Sequence, residues 1–136
     1  QSKLSGPLLD RIDLHINVPA VEIEKLIPQA KPPQESSAEI RKRVVAARKI
    51  QNRRFAGTGI HTNAQMKNRH IKEFCHLTDE ALALLKQAVN NYNLSARTYF
   101  RLIKVSQTIA DLAGEEKITV EHIAEALQYR LRIQEA

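Results

Sequence analysis

The fold of this chain is organised around the stretch Asn93-Leu94-Ser95-Ala96-Arg97-Thr98-Tyr99-Phe100-Arg101-Leu102-Ile103-Lys104-Val105. The stretch predicts a helix start, because the Ser95 hydroxyl can accept a hydrogen bond from a free N–H group of the first turn. Gly114 is suited to close this helix. The apolar residues that recur at helical spacing are Tyr99, Leu102, Ile103, Ile109, Ala110 and Ala113.

Arg97 occupies an unfavourable position in the predicted helix. A cation in the first turn faces the positive end of the helix dipole, which costs roughly a few tenths of a kcal/mol or more. An anion bound there would remove the conflict, since free N–H groups, the dipole and the guanidinium would converge on it. Arg101 and Lys104 continue the basic stripe on that face. The alternative is a solvated arginine beside an ordinary helix cap.

Residues 36–136 are predicted to form a small all-helical bundle. Ser36 and Glu39 match a capping box, and Thr78, Thr119 and, for a short helix, Asn68 are further candidate caps. The helix after Ser36 is expected to bury Ile40, Val44, Ala47 and Ile50, and the helix after Thr78 is expected to bury Ala81, Leu82, Leu85, Ala88, Val89 and Tyr92.

The N-terminal part of the chain has a different pattern. Pro7 suits the first position of a helical turn. Residues 13–18 alternate strictly between polar and apolar side chains, which predicts a strand whose sheet partners lie upstream. Three prolines within residues 28–35 predict an extended linker. The predicted domains are therefore residues 1–27, the linker 28–35 and the helical domain 36–136.

Composition limits the classes of function. The chain has 136 residues, a formal charge of +6 and a pI near 9.7, which favour polyanionic partners. It begins with Gln1, and we expect it to be part of a longer protein. A single cysteine, Cys75, excludes an intrachain disulfide and favours a reducing, cytoplasmic location. No apolar run approaches the roughly 20 residues that span a bilayer, so no membrane contact is expected.

The helix after Ser36 carries seven arginines and lysines within residues 41–54. One interpretation is a solvated helix face on which the aliphatic stems cover apolar neighbours. The other is a surface that faces phosphates. The candidate polyanion contacts, counted together with the stripe after Arg97, are Arg41, Lys42, Arg48, Lys49, Arg53, Arg101 and Lys104.

Several chemical motifs are absent from the sequence. It contains no GxxxxGK[ST] loop, no GxGxxG and no HExxH. His61, His70, Cys75 and His76 match no zinc-ligand spacing, so no metal site is predicted and Cys75 is interpreted as a small buried apolar residue. The fragment alone is not expected to be an active enzyme.

Two segments resemble one protein family. The stretch Ser5-Gly6-Pro7-Leu8-Leu9-Asp10-Arg11-Ile12-Asp13-Leu14-His15-Ile16 resembles the end of the ATPase core in magnesium-chelatase-like AAA+ proteins. Residues 94–99 resemble the sensor 2 helix of the same group. Residues 103–114 and 122–130 resemble the C-terminal region of its ComM/YifB-type members. Phe usually follows the arginine of the first motif in the wider superfamily, and Ile12 departs from it.

The resemblance implies a fold and a set of roles. The fold would be mainly α: a helical AAA+ lid domain, preceded by the last helix turn and strand of an α/β ATPase core. Arg11 would be the arginine finger, acting in trans on ATP bound by a neighbouring subunit. Arg97, with Ser95, would contact the γ-phosphate as sensor 2. The whole protein would use ATP and Mg²⁺, assemble as a homo-oligomeric ring, a hexamer, and drive branch migration on DNA as a helicase-like motor in transformation.

Two alternatives remain open at the level of sequence. The helical domain could be a basic DNA- or protein-binding module without a nucleotide role. Metal insertion into porphyrin, as in a chelatase-type ATPase subunit, is suggested only by the wider family name, and no residue of this chain favours it.

Overall fold

The computed structural model describes residues 5–22 and 34–131. Most of the predicted linker 28–35 lies outside the described residues, as do residues 1–4 and 23–27 of the predicted core tail and residues 132–136 of the helical domain. The boundaries predicted between the three domains therefore stay predictions.

The described residues form a mainly helical fold, as predicted. The elements in chain order are α1 (Gly6–Leu9), α2 (Ser37–Arg54), a short 3₁₀ helix (Asn63–Gln65), α3 (Asn68–Phe74), α4 (Asp79–Asn91), α5 (Ala96–Ala113) and α6 (Val120–Leu131). The described part of the chain contains no β-sheet, only an isolated parallel bridge between Leu77 and Ile118. That bridge ties the segment before α4 to the segment before α6 through hydrogen bonds from Thr78 N–H to Ile118 O and from Ile118 N–H to His76 O.

Most of the predicted helix boundaries are confirmed by their caps. Ser36 and Glu39 form the capping box, with the Ser36 N–H 2.8 Å from a Glu39 carboxylate oxygen. This backbone bond, followed by the bond from the Ser36 hydroxyl, holds the pKa of Glu39 below its usual value. Thr78 caps α4 at 3.2 Å, and Gly114 ends α5 in the left-handed region with φ of 73°.

Helix α5 is the centre of the bundle and packs against α2, α3 and α6, while α4 packs against α6. The core is mainly aliphatic, and Phe55 and Phe74 add an edge-to-face contact with centroids 5.5 Å apart. The apolar residues with no exposed surface come from α4, α5, α6 and the segment before α6: Ala81, Leu85, Ala110, Ile118 and Ile123. A continuous core of this kind stabilises the helices far more than their intrinsic propensities do.

Three predictions about individual side chains were wrong. Ile40 and Val44 are exposed, because residues 37–46 of α2 extend beyond the bundle and only the second half of the helix packs on α5. Tyr92 is exposed. Helix α4 ends at Asn91, so Tyr92 is not part of the helix face that packs on the core. Lys67, and not Asn68, is the residue that caps α3, with its N–H donating to the His70 ring at 2.9 Å.

The segment predicted as a strand does not form one in the described part of the chain. Residues 13–18 have no regular secondary structure and lie against α6, where the His15 N–H donates to Tyr129 O at 3.0 Å. Leu14, Ile16 and Val18 are all exposed. No second strand lies beside this segment among the described residues, so its ladder groups have no sheet to join. Pairing with upstream strands stays a prediction.

Among the described residues, no helix is long and apolar enough to cross a lipid bilayer.

Candidate functional site

The start of α5 leaves donors free for a ligand. The Ser95 hydroxyl accepts from the Thr98 N–H at 3.2 Å, which confirms the predicted cap. Asn93, with φ of 48°, provides the left-handed turn that brings the chain from α4 into this cap. Since the cap satisfies Thr98, the N–H groups of Ala96 and Arg97 are the first-turn donors without an intrahelical acceptor.

Arg97 is exposed at the second residue of α5. Within residues 5–22 and 34–131, no side chain forms an ion pair or hydrogen bond with its guanidinium. The first turn of α5 also contains no acidic residue. The arginine and the free N–H groups therefore form a concentration of positive charge that no group in the described part of the chain neutralises.

Arg11 lies in the turn that follows α1 and is also exposed, without a side-chain partner among the described residues. Its neighbours are anchored to the helical domain. Arg130 of α6 donates to Ile12 O at 3.0 Å, to the Asp10 carboxylate at 3.1 Å and to the Thr98 hydroxyl at 3.1 Å. The turn that carries Arg11 is therefore held beside the first turn of α5, where Arg97 is located.

Two of the predicted polyanion contacts are engaged within the chain. Arg101 donates to Asp10 O at 2.9 Å and pairs with the Asp13 carboxylate at 3.0 Å. The Lys104 ammonium donates to Ala64 O at 3.1 Å. Burial lowers the pKa of Lys104, and the nearby Asp13 carboxylate partly offsets that effect. Contacts of these two side chains with a polyanion stay a prediction.

The cations of α2 are mostly on its surface. Arg41, Lys42, Lys49 and Arg53 are exposed without side-chain partners in the described part of the chain. Arg48 is also exposed and donates to the Gln51 amide oxygen at 3.0 Å. At 100° per residue, Lys42, Lys49 and Arg53 fall on one face of α2, opposite the face that packs on α5. These three cations therefore face solvent on one side of α2, and they are called here the basic stripe of α2.

Sequence reasoning missed a buried polar network beneath that surface. Arg54 forms a two-pronged ion pair with Asp111 of α5, whose side chain is fully enclosed. The Asn63 amide donates to the same carboxylate at 2.8 Å, and the Gln107 amide donates to it at 3.2 Å. The signal was present in the sequence: Ala47, Gln51 and Arg54 follow helical spacing on the buried face of α2.

A cavity of about 410 Å³ separates the extended N-terminal segment from the helices. It lies between Asp13–Ile16 and the facing sides of α5 and α6, and its walls are largely apolar. His15, between two of the residues that line the cavity, has both ring nitrogens enclosed and without hydrogen-bond partners among the described residues. The N-terminal segment therefore covers the helices without filling the space between them.

Cys75 behaves as a buried apolar residue, as predicted, with its sulfur 3.9 Å from that of Met66. Burial raises the pKa of its thiol to about 11. Across residues 5–22 and 34–131, no group of three or more His, Cys, Asp or Glu side chains could hold a metal ion.

Comparison with known families identifies both parts of the chain. Residues 34–130 match the family "Magnesium chelatase, subunit ChlI C-terminal", and residues 1–26 match "Magnesium chelatase, subunit ChlI". The N-terminal match ends at residue 26 and the C-terminal match begins at residue 34. Most of the predicted linker, residues 28–35, lies between them.

Individual relatives give the same result. The chain is 42% identical to "Competence protein ComM" of Haemophilus influenzae over 97% of its own length, and 36% identical to "Uncharacterized protein YifB" of Salmonella typhimurium over 95% of it. It spans about a quarter of the length of these relatives, 25% and 24% respectively. Because a family match covers well over half of the chain, and relatives above 30% identity cover nearly all of it, the chain belongs to the magnesium-chelatase-like proteins of the ComM/YifB type.

Proposed function

We propose that this chain supplies two arginines to the phosphates of ATP in a magnesium-chelatase-like AAA+ ATPase. Residues 36–136 act as the lid, with Arg97 as the sensor 2 residue, and residues 1–27 are the end of the ATPase core, with Arg11 as the arginine finger. The observation that carries the proposal is the state of Arg97: an exposed cation in the first turn of an 18-residue helix, unpaired within the described residues.

A phosphate group would reverse the energetics of this helix start. The free N–H groups of Ala96 and Arg97, the dipole of α5 and the guanidinium all favour a negative charge at the same place. Arginine suits this task because its planar fork can pair with two phosphate oxygens. Ser95 contributes by fixing the helix start, since its hydroxyl is occupied by the Thr98 N–H.

Arg11 would act on ATP bound by a neighbouring subunit of a homo-oligomeric ring. The side chain is exposed, while its backbone is anchored through Asp10 and Ile12, so it can reach outward from a fixed base. ATP would bring Mg²⁺, which neutralises phosphate charge during transfer. The described residues offer no cluster of metal ligands, so this chain contributes cations to the proposed site.

The partner of the assembled motor is proposed to be DNA. The basic stripe of α2, together with Arg41 and Arg48, would face the phosphate backbone and contribute affinity without sequence specificity. One relative is named for competence, which supports a role in transformation. Branch migration as the activity is proposed from the family resemblance alone. The second candidate function is a basic binding module without a nucleotide role, and the exposed cations of α2 are the observation that favours it.

The test of the proposed function is ATP turnover in a protein of the relatives' full length that carries this chain. Arg11→Ala should lower turnover by about 10³-fold or more while ATP still binds, because a finger acts on the transition state. Arg97→Ala should also lower turnover, and Arg97→Lys should restore it only in part, because an ammonium cannot reproduce the fork.

Lys86→Ala is a matched control, since Lys86 is an exposed cation on α4, away from both arginines. It should turn over ATP like the unmodified protein. Full turnover in both Arg11→Ala and Arg97→Ala would contradict the nucleotide role. If both variants keep full turnover but Lys42→Ala combined with Lys49→Ala lowers the salt dependence of DNA binding, the binding-module hypothesis replaces it.

A further inference from the structure

The turn that carries Arg11 is held by two arginines of the helical domain, Arg101 on α5 and Arg130 on α6. We propose that these two arginines, called here the arginine clasp, are positioning residues that make the location of Arg11 depend on the helix that carries Arg97. The inference rests on the proposed function, because it assigns a coupling between two groups of the same site.

Arg130 is the centre of the clasp. Its side chain is only 10% exposed. One guanidinium nitrogen donates to Ile12 O, and the other lies 3.1 Å from both the Asp10 carboxylate and the Thr98 hydroxyl. A planar group with five N–H donors can serve acceptors in several directions, which an ammonium on a flexible stem cannot do in fixed geometry.

Thr98 extends the clasp to the helix cap. Its hydroxyl lies 3.1 Å from the Ser95 hydroxyl, and its N–H is the one that Ser95 caps. A hydrogen-bonded chain therefore runs from the cap of α5 through Thr98 and Arg130 to the residues on both sides of Arg11. Arg97 is the neighbour of Thr98 in the same helical turn, so a shift of this turn on ligand binding changes the acceptor positions that Arg130 must satisfy.

Arg101 holds the other side of the turn. It donates to Asp10 O and pairs with the Asp13 carboxylate, and it lies one helical turn after Arg97 on α5. Both clasp arginines therefore reach Asp10, one through its carbonyl and one through its carboxylate. Rotation of α5 would move Arg101 and Thr98 together, and the Arg11 turn with them.

The N-terminal segment also contacts α6 directly. One backbone hydrogen bond joins His15 N–H to Tyr129 O. The apolar side chains on either side of His15 are only partly covered: Leu14 is 48% exposed, Ile16 67% and Val18 82%, and Leu14 and Ile16 line the cavity beside α5 and α6. Because these side chains bury only part of their surface, the charge-assisted hydrogen bonds of the clasp carry a large share of the attachment.

The first experiment follows amide exchange of His15 in this chain. Arg130→Ala should accelerate exchange of the His15 amide by about 10-fold or more, because its bond to Tyr129 opens when the segment is released. The amides of Leu85 and Leu102 should be unchanged. Arg130→Lys should have an intermediate effect, and the control Lys86→Ala none. Unchanged His15 exchange in Arg130→Ala would overturn the inference.

The second experiment measures turnover in a protein of full length. Arg130→Ala should lower turnover by about 10- to 100-fold, because misplacing a catalytic group by an ångström has effects of that size, with ATP affinity unchanged. The double variant Arg11→Ala, Arg130→Ala should turn over at the rate of Arg11→Ala alone. A merely structural role would instead make the two losses multiply, and that outcome would overturn the inference.

Asp10→Ala is the second variant if Arg130→Ala fails to fold, because Asp10 is on the exposed turn and its loss leaves the contact between α5 and α6 intact. It should change exchange and turnover in the same direction but by less, because the bonds from Arg101 to Asp10 O and from Arg130 to Ile12 O remain. Full turnover in Arg11→Ala would overturn the finger role and this inference with it, and full turnover in Arg97→Ala as well would overturn the proposed function. If Arg11→Ala loses turnover while Arg130→Ala and Asp10→Ala both keep full turnover, this inference alone is overturned.

Discussion

Arg54 lies at the C-terminal end of one helix and Arg97 near the N-terminal end of another, and their surroundings differ. Arg54 is the last residue of α2, where a cation suits the dipole, and it is buried against Asp111 with two amides completing the carboxylate. Arg97 is the second residue of α5, where a cation opposes the dipole, and it is exposed without an acid among the described residues. An arginine that is satisfied within the fold stabilises it, whereas one that is not has capacity left for a ligand.

The largest expected effect comes from removing the side chain of Arg54, the buried arginine of the two. Arg54→Ala should lower the free energy of unfolding by about 3–5 kcal/mol, because it leaves the Asp111 carboxylate enclosed without its cation. Urea denaturation of the purified chain measures this loss. Arg53→Ala is the matched control: its exposed neighbour should change stability by less than about 0.5 kcal/mol. Equal effects of the two variants would show that the network is not formed.

The buried thiol of Cys75 makes the free energy of unfolding depend on pH. Its thiol has a pKa of about 11 in the fold against 9.0 as the reference value, because of burial. Between those values the unfolded chain releases a proton that the folded chain keeps, so the free energy of unfolding falls as pH rises from about 9 to 11. The stability advantage of the unmodified chain over Cys75→Ala should shrink across that window by up to roughly 2–3 kcal/mol. If the free energy of unfolding changes with pH in the same way in the unmodified chain and in Cys75→Ala, the thiol is not buried.

The start of α5 permits a smaller and more discriminating test. Ser95→Ala should lower the free energy of unfolding by about 1 kcal/mol, because the Thr98 N–H loses its acceptor. Arg97→Ala should leave stability unchanged or raise it by a few tenths of a kcal/mol, roughly, because an unfavourable dipole contact disappears. Urea denaturation at low salt separates the two results. If Arg97→Ala destabilises the chain as much as Ser95→Ala does, Arg97 has a structural role.

Local signals in the sequence were sufficient for most of the fold. The capping box at Ser36, the caps at Thr78 and Ser95 and the left-handed residues Asn93 and Gly114 depend on contacts within a few residues of each other. Such contacts are determined by spacing along the chain. The helix order and the exposed position of Arg97 followed from the same kind of evidence.

Long-range contacts were not accessible in this way. Ile40 and Val44 have the spacing of a buried face, but α2 extends beyond the helices that could cover them. Arg54 was grouped with the surface cations. Its spacing after Ala47 and Gln51 places it on the buried face of α2, but nothing near it in sequence indicates its partner Asp111, which is 57 residues away. The contacts of Arg101 with Asp10 and Asp13, about 90 residues earlier in the chain, had no signal in the sequence, and its predicted contact with a polyanion stays a prediction. Which partner a charged side chain meets is therefore decided by the tertiary fold and not by its neighbours in the sequence.

The most direct test of the central claim is a titration of this chain with ATP, followed by the amide resonances of every helix. The account predicts that the largest shifts occur at Ala96 and Arg97, whose N–H groups are free at the start of α5, and that Arg97→Ala removes them while leaving the fold unchanged. Largest shifts on the basic stripe of α2 at Lys42 and Lys49, retained in Arg97→Ala, would contradict it.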